Sequence, residues 1–207
     1  MILKFAIKNF QTVSRKYAAA PPTGVKAFTE SCIVPDMLDC PPEKELTVTY
    51  SCGRKVTLGN ILTPTLVKDP PELCWDADKC KFYTALMADP DAPSRRCPHS
   101  REFQHWLVGN IPGKEIGKGE TLSEYIGAGP PPNSGLHRYV ILVFQQPDKI
   151  EFCEKKLNNK SKDGREKFST LGFAEKYSLG KPLYGNFFQA EWDDYVPTLY
   201  KQLGIQE

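Results

Sequence analysis

Two proline-flanked aspartates, two histidines and a glycine–proline loop are the residues of this chain best suited to act together on a ligand. Asp89-Pro90-Asp91-Ala92-Pro93 is followed by His105, and Gly127-Ala128-Gly129-Pro130-Pro131 is followed by His137. Proline fixes its own φ and restricts the residue before it, so both aspartates have little backbone freedom. A glycine-rich loop lets backbone N–H groups come close to a ligand. The prolines stiffen that loop, which lowers the ordering cost of binding. Histidine adds a donor near neutral pH. Together these groups suit a small anion such as a phosphate ester. Two carboxylates with two histidines would also serve a metal, but the chain has no HxH or HExxH spacing, and neither metal nor cofactor is expected. Ser94 and Cys97 lie near the cluster in sequence without a base partner, and no GxSxG motif marks a nucleophile. A hydrolase is therefore not the expectation.

The segments DPDAPSRRCPHSREFQHWLV and YIGAGPPPNSGLHRYVILVFQQ resemble the signature blocks of the phosphatidylethanolamine-binding protein family, which includes the Raf kinase inhibitor proteins. ILTPTLVKDPP before Trp75 and QAEWDDYVPTLYKQLG near the C-terminus extend the resemblance over about residues 28 to 204. In that family an aspartate and two histidines line an anion pocket, and the matching positions are Asp89, His105 and His137. The resemblance adds Asp91, whose alternative role is to hold the loop, and Gly127, Ala128, Gly129 and Pro130 of the loop. It also implies apolar walls at Pro93 and Phe103, a neighbour at Tyr139, and a border from Tyr200 and Leu203. The implied function is non-enzymatic binding of phospholipid headgroups (phosphatidylethanolamine) or phosphate-type anions. His105 and His137 would donate to the phosphate, and Asp89 would orient one imidazole. The alternative is inhibition of a protein kinase or serine protease through surface contacts. Two positions depart from the family: Ser100 stands where an aromatic residue is common, and Gly172 stands where mammalian members carry a phosphorylated serine.

These residues need a scaffold. Leu46, Val48 and Tyr50 alternate with polar residues, as in a half-buried strand. Phe82 to Ala88, His105 to Val108 and Phe187 to Trp192 are further strand candidates, and His137 to Gln145 is the strongest, being β-branched and aromatic. His137 and Tyr139 lie two apart and so share a face. Helical character is present in Arg165 to Tyr177, weakened by Gly172, and in Asp193 to Leu203. There Asp193 or Asp194 can cap, Pro197 suits the first turn and Gly204 ends the helix. Val196, Leu199, Tyr200 and Leu203 give that helix an inward face. Asn158 to Lys167 is polar and reads as a surface loop. Short strands, long loops and a terminal helix predict a mainly β fold. The resemblance sharpens this to a large central antiparallel sheet packed on a smaller one, with the C-terminal helix beside the pocket.

The 207 residues suffice for one domain with a good core. A net charge of +2 gives no electrostatic footprint for nucleic acid. No stretch reaches the roughly 18 apolar residues that span a bilayer, leaving peripheral membrane contact at most. A monomer is expected. The seven cysteines are odd in number and form no CxxC pair. They read as reduced, mostly buried thiols, with three disulfides in a secreted protein as the alternative. Residues 1 to 24 read as an extension and linker ahead of a domain over 25–207. Up to Lys26 the chain carries Lys4, Lys8, Arg15 and Lys16 without an acid. Leu3, Ala6, Phe10, Val13 and Tyr17 share one helical face, and Lys4, Lys8, Gln11 and Arg15 the other. That pattern is expected of a mitochondrial targeting helix removed near residue 17. Its alternative is a disordered basic arm on a cytoplasmic protein.

Overall fold

The computed structural model describes residues 24–51 and 53–205. The targeting helix predicted for residues 1 to 17 lies outside them. In chain order the helices are α1 (Gly24–Glu30), α2 (Ile33–Asp36), α3 (Thr170–Lys176) and α4 (Val196–Gln202). The strands are β1 (Lys44–Glu45), β2 (Thr47–Thr49), β3 (Glu72–Cys74), β4 (Phe82–Asp89), β5 (Phe103–Pro112), β6 (Glu120–Ser123), β7 (His137–Gln145) and β8 (Tyr184–Ala190). Six of them form one sheet in the order β1-β8-β7-β4-β5-β6, and β2 pairs with β3 in a second. The fold is mainly β, as expected. The large sheet is antiparallel except at one edge, where the two-residue β1 runs parallel to β8, so the sheet is mixed.

Period-two alternation divides the large sheet into two faces. Tyr139, Ile141 and Val143 pack with Tyr83, Met87 and Phe188 toward Leu46, Val48, Leu73 and Trp75 of the small sheet. Val140, Leu142 and Phe144 face the other way, onto Phe28, Ile33, Phe173 and Ala174 of the helical layer. Burial of each such side chain contributes roughly 1.5–3 kcal/mol, and the central strands are buried on both faces.

Several sequence boundaries move. The helix expected over Arg165 to Tyr177 covers Thr170–Lys176 only, because Ser169 caps it by accepting the Gly172 N–H at 3.0 Å. The C-terminal helix begins at Val196. Asp193 does not cap it: one carboxylate oxygen accepts Thr65 N–H and Oγ1–H at 2.9 and 2.7 Å, and the other accepts Tyr195 N–H. Gly204 ends the helix at φ +66°. The thiols are not mostly buried. Among the described residues Cys32, Cys74, Cys80, Cys97 and Cys153 are exposed, Cys40 is half-buried, and all six are free. Cys74, for example, alternates with buried Leu73 and Trp75 and so points outward.

Candidate functional site

β4 ends on Asp89, β7 begins on His137, and β5 carries His105 beside them. A register shift in the β4–β5 pairing sets the third position. Met87 pairs with Trp106 and Ala88 with Gln104, so His105 is an extra residue in the strand. Bulges of this kind re-aim a side chain. Here His105 reaches the same face as Trp106, its ring 5.2 Å from that of Tyr139. His137 lies over the same tyrosine in a stacked arrangement.

The three polar residues meet in one cavity of about 210 Å³. Asp89, His105, His137 and Tyr139 form its floor. Ala92, Pro93, Phe103, Ile126, Leu199, Leu203 and Ile205 supply apolar wall, and Gly127, Gly129 and Pro131 the loop side. Ser100, Tyr200, Lys162 and Glu166 stand around it. Gly127 has a steric reason to be glycine: a Cβ there would lie 2.9 Å from the Val67 carbonyl oxygen and 3.0 Å from Lys68 Cα. Tyr200 hydroxyl donates to the Gly129 carbonyl at 3.2 Å, fastening α4 to the loop.

Asp89 takes the Asp91 N–H on one oxygen at 2.6 Å and His137 Nδ1 on the other at 2.7 Å. His137 Nε2 lies 2.9 Å from the Ser134 hydroxyl, which itself donates to the Pro131 carbonyl at 2.7 Å. Both nitrogens of His137 are thus occupied. His105 Nδ1 donates to the Ile126 carbonyl at 2.9 Å. Burial pushes its imidazole down to about 4, although Asp89 and that carbonyl pull upward. The Nδ1 positions of His105 and His137 thus face protein acceptors, the Ile126 carbonyl and the Asp89 carboxylate. Tyr139 hydroxyl is buried without a hydrogen-bond partner; the Gly129 amide lies near it without hydrogen-bond geometry. Burial holds this phenol well above its ordinary range.

Three predicted residues stand apart from the cavity wall. Ala128 and Pro130 are buried and outside the lining, Ala128 within the core between the sheets. Asp91 also holds structure rather than facing the cavity. It accepts Arg138 N, Nε and Nη2 at 2.8, 2.9 and 2.6 Å, and Arg95 Nε at 3.2 Å. Burial alone would raise its carboxyl, but these arginines hold it below the usual range. Arg138 also donates to the Ser31 carbonyl and to Asp36, both at 2.8 Å. An arginine inside the most apolar strand was a readable sign of a buried partner.

Arg165 was not readable. It sits in the polar segment 158–167 expected to be surface loop, yet it is fully buried. Its Nη1 donates to the Gln104 and His105 carbonyls and its Nη2 to those of Glu124 and Asn158. Among the described residues it bonds no carboxylate, and burial brings its guanidinium down to about 10. Among the described residues no group of three metal-ligating side chains is suitably placed for an ion, and no helix is long and apolar enough to cross a membrane.

A family model, "Phosphatidylethanolamine-binding protein", matches residues 39–188. "Putative odorant-binding protein A5" of Drosophila melanogaster is 47% identical over 183 residues, covering 88% of this chain and 87% of that protein. Among solved structures, a carboxypeptidase Y inhibitor complexed with its cognate proteinase has a TM-score of 0.71 at 25% identity, covering 82% of this chain and 95% of its own. The phosphatidylethanolamine-binding protein from Plasmodium vivax shares the fold at a TM-score of 0.71 and 24% identity, covering 84% and 99%. The chain belongs to the phosphatidylethanolamine-binding protein family.

Proposed function

We propose that this is a non-enzymatic binding protein whose pocket holds the phosphate end of a small phosphorylated ligand or phospholipid headgroup. The observation that carries the reading is the convergence of Asp89, His105 and His137 on one apolar-walled cavity of about 210 Å³. That volume suits a headgroup and leaves acyl chains outside. The buried Arg165 cation beside the His105 carbonyl favours negative charge there. Calorimetric titration with phosphorylethanolamine tests the site: affinity unchanged by His105→Ala with His137→Ala refutes it. The Asp89–His137–Ser134 chain has the partners of an acyl-transfer relay, but Ser134 is not part of the cavity wall. Hydrolysis of p-nitrophenyl acetate that disappears in Ser134→Ala would refute the non-enzymatic part.

A second reading, inhibition of a protease, is favoured by the structural relative that is itself a carboxypeptidase Y inhibitor bound to its proteinase. Activity of carboxypeptidase Y in the presence of the purified protein tests it directly. Delivery to mitochondria by residues 1 to 17 belongs to the same proposal and is supported by their segregated basic and apolar residues.

A further inference from the structure

The floor of the cavity offers acceptors more readily than donors, and this restricts which anions it can hold. Of the donors around it, Lys162 is paired with Glu166, Tyr200 donates to the Gly129 carbonyl and Ser100 lies 3.4 Å from His99 Nδ1. His105 gives its Nδ1 proton to the Ile126 carbonyl, so in the neutral ring Nε2 carries a lone pair. Burial keeps that ring neutral down to about pH 4. Asp89 presents a carboxylate to the same cavity. The two nitrogens of His137 are taken by Asp89 and Ser134. Tyr139 contributes a buried hydroxyl with no hydrogen-bond partner among the described residues. Behind these groups, Arg165 bonds backbone carbonyls alone, so its positive charge is not cancelled by a direct carboxylate partner.

We propose that the pocket selects a monoanion that brings its own proton, a singly ionised phosphomonoester, over a phosphodiester or sulfate ester of equal charge. The P–O–H group donates to His105 Nε2 or to Asp89, while an unprotonated oxygen accepts from Tyr139. A diester or a sulfate ester has acceptor oxygens only and sets them against a carboxylate and a lone pair, which repels them from Asp89 and leaves His105 Nε2 unpaired. The inference rests on the phosphate reading and narrows it: the free headgroup phosphomonoester, not the phosphodiester of an intact phospholipid, is the preferred occupant.

Three ligands separate these cases with the same ammonium group and one negative charge each: phosphorylethanolamine, ethanolamine O-sulfate and glycerophosphoethanolamine. Titration of the full chain is done at about pH 5.5, below the second ionisation of a phosphomonoester near 6. Phosphorylethanolamine is expected to bind at least about tenfold more tightly than either of the others, the effect of one charge-assisted hydrogen bond. Equal affinities overturn the inference and leave the phosphate reading standing. Tighter binding of glycerophosphoethanolamine overturns it in favour of the lipid headgroup, and no binding of any of the three overturns both. A second measurement needs no variant. Nitrogen-15 spectra of the histidine rings are expected to show His105 protonated at Nδ1, with its Nε2 resonance moving when phosphorylethanolamine is added. A ring protonated at Nε2 in the free protein, or an Nε2 resonance unmoved by bound ligand, overturns the inference.

Discussion

Replacing Asp91 by Asn tests whether the second aspartate of the first block supports the fold rather than contacting ligand. In the native chain the carboxylate is fully buried and receives three hydrogen bonds from Arg138 and one from Arg95. The asparagine keeps the volume but loses the charge, and its amide N–H₂ replaces an acceptor that faces guanidinium donors. Among the described residues Arg138 would then retain only Asp36, whose side chain is 32% exposed, as a carboxylate partner within bonding distance. Removing one member of a buried ion pair costs about 3–5 kcal/mol, because the other charge is left uncompensated. With a urea m-value of about 2 kcal/mol/M, the unfolding midpoint falls by about 1.5–2.5 M. Equilibrium urea unfolding followed by circular dichroism measures this. The double variant Asp91→Leu, Arg138→Met removes both charges and is expected to recover most of the loss. A drop below about 1 kcal/mol in Asp91→Asn, or a double variant worse than the single, would refute the reasoning.

Glu102 is buried and bonded by Thr170 N–H and Oγ1–H; burial raises its carboxyl to about 7 against those bonds. The folded state therefore holds a proton that the unfolded state releases at lower pH, and stability falls as pH rises from about 4.5 to about 7. Glu102→Gln should flatten that decline, as shown by urea unfolding across the interval; an unchanged slope counts against it. Tyr139→Phe removes a buried hydroxyl that has no partner, so stability should change by less than about 1 kcal/mol in thermal unfolding while phosphorylethanolamine affinity falls. A fluorescent fusion of residues 1 to 30 should enter mitochondria; a purely cytosolic signal would leave the basic-arm reading in its place.

The sequence revealed the centre of the fold better than its edges. His137–Gln145 was legible to the residue because an unbroken β-branched and aromatic run of that length has few other uses. β8 starts earlier than expected, at Tyr184, since Gly185 and Asn186 look like a strand boundary. In the fold both have specific roles. A Cβ at Gly185 would meet Pro42 Cγ at 2.4 Å. Asn186 donates to the Leu46 and Val56 carbonyls and accepts the Leu58 N–H, which ties the small sheet to the large one. Such long-range partners leave no local pattern. The same holds for the site: Asp89, His105 and His137 are found from their motifs, whereas the bulge that turns His105 depends on the register against β4. The wall residues Leu199 and Ile205 join the pocket by tertiary packing alone.

The guanidinium of Arg138 gathers chain segments that are 47, 102 and 107 residues away from it. Lifting the Ser31–Asp36 stretch from the sheet would strip hydrogen bonds from a charge with almost no access to water. Opening there should therefore be coupled to disruption of the strands themselves. Amide protons of this stretch that are bonded within it, such as that of Asp36 to the Cys32 carbonyl, should exchange with solvent nearly as slowly as those at the middle of β7. The segment joins the most slowly opening unit of the molecule despite its place near the start of the domain.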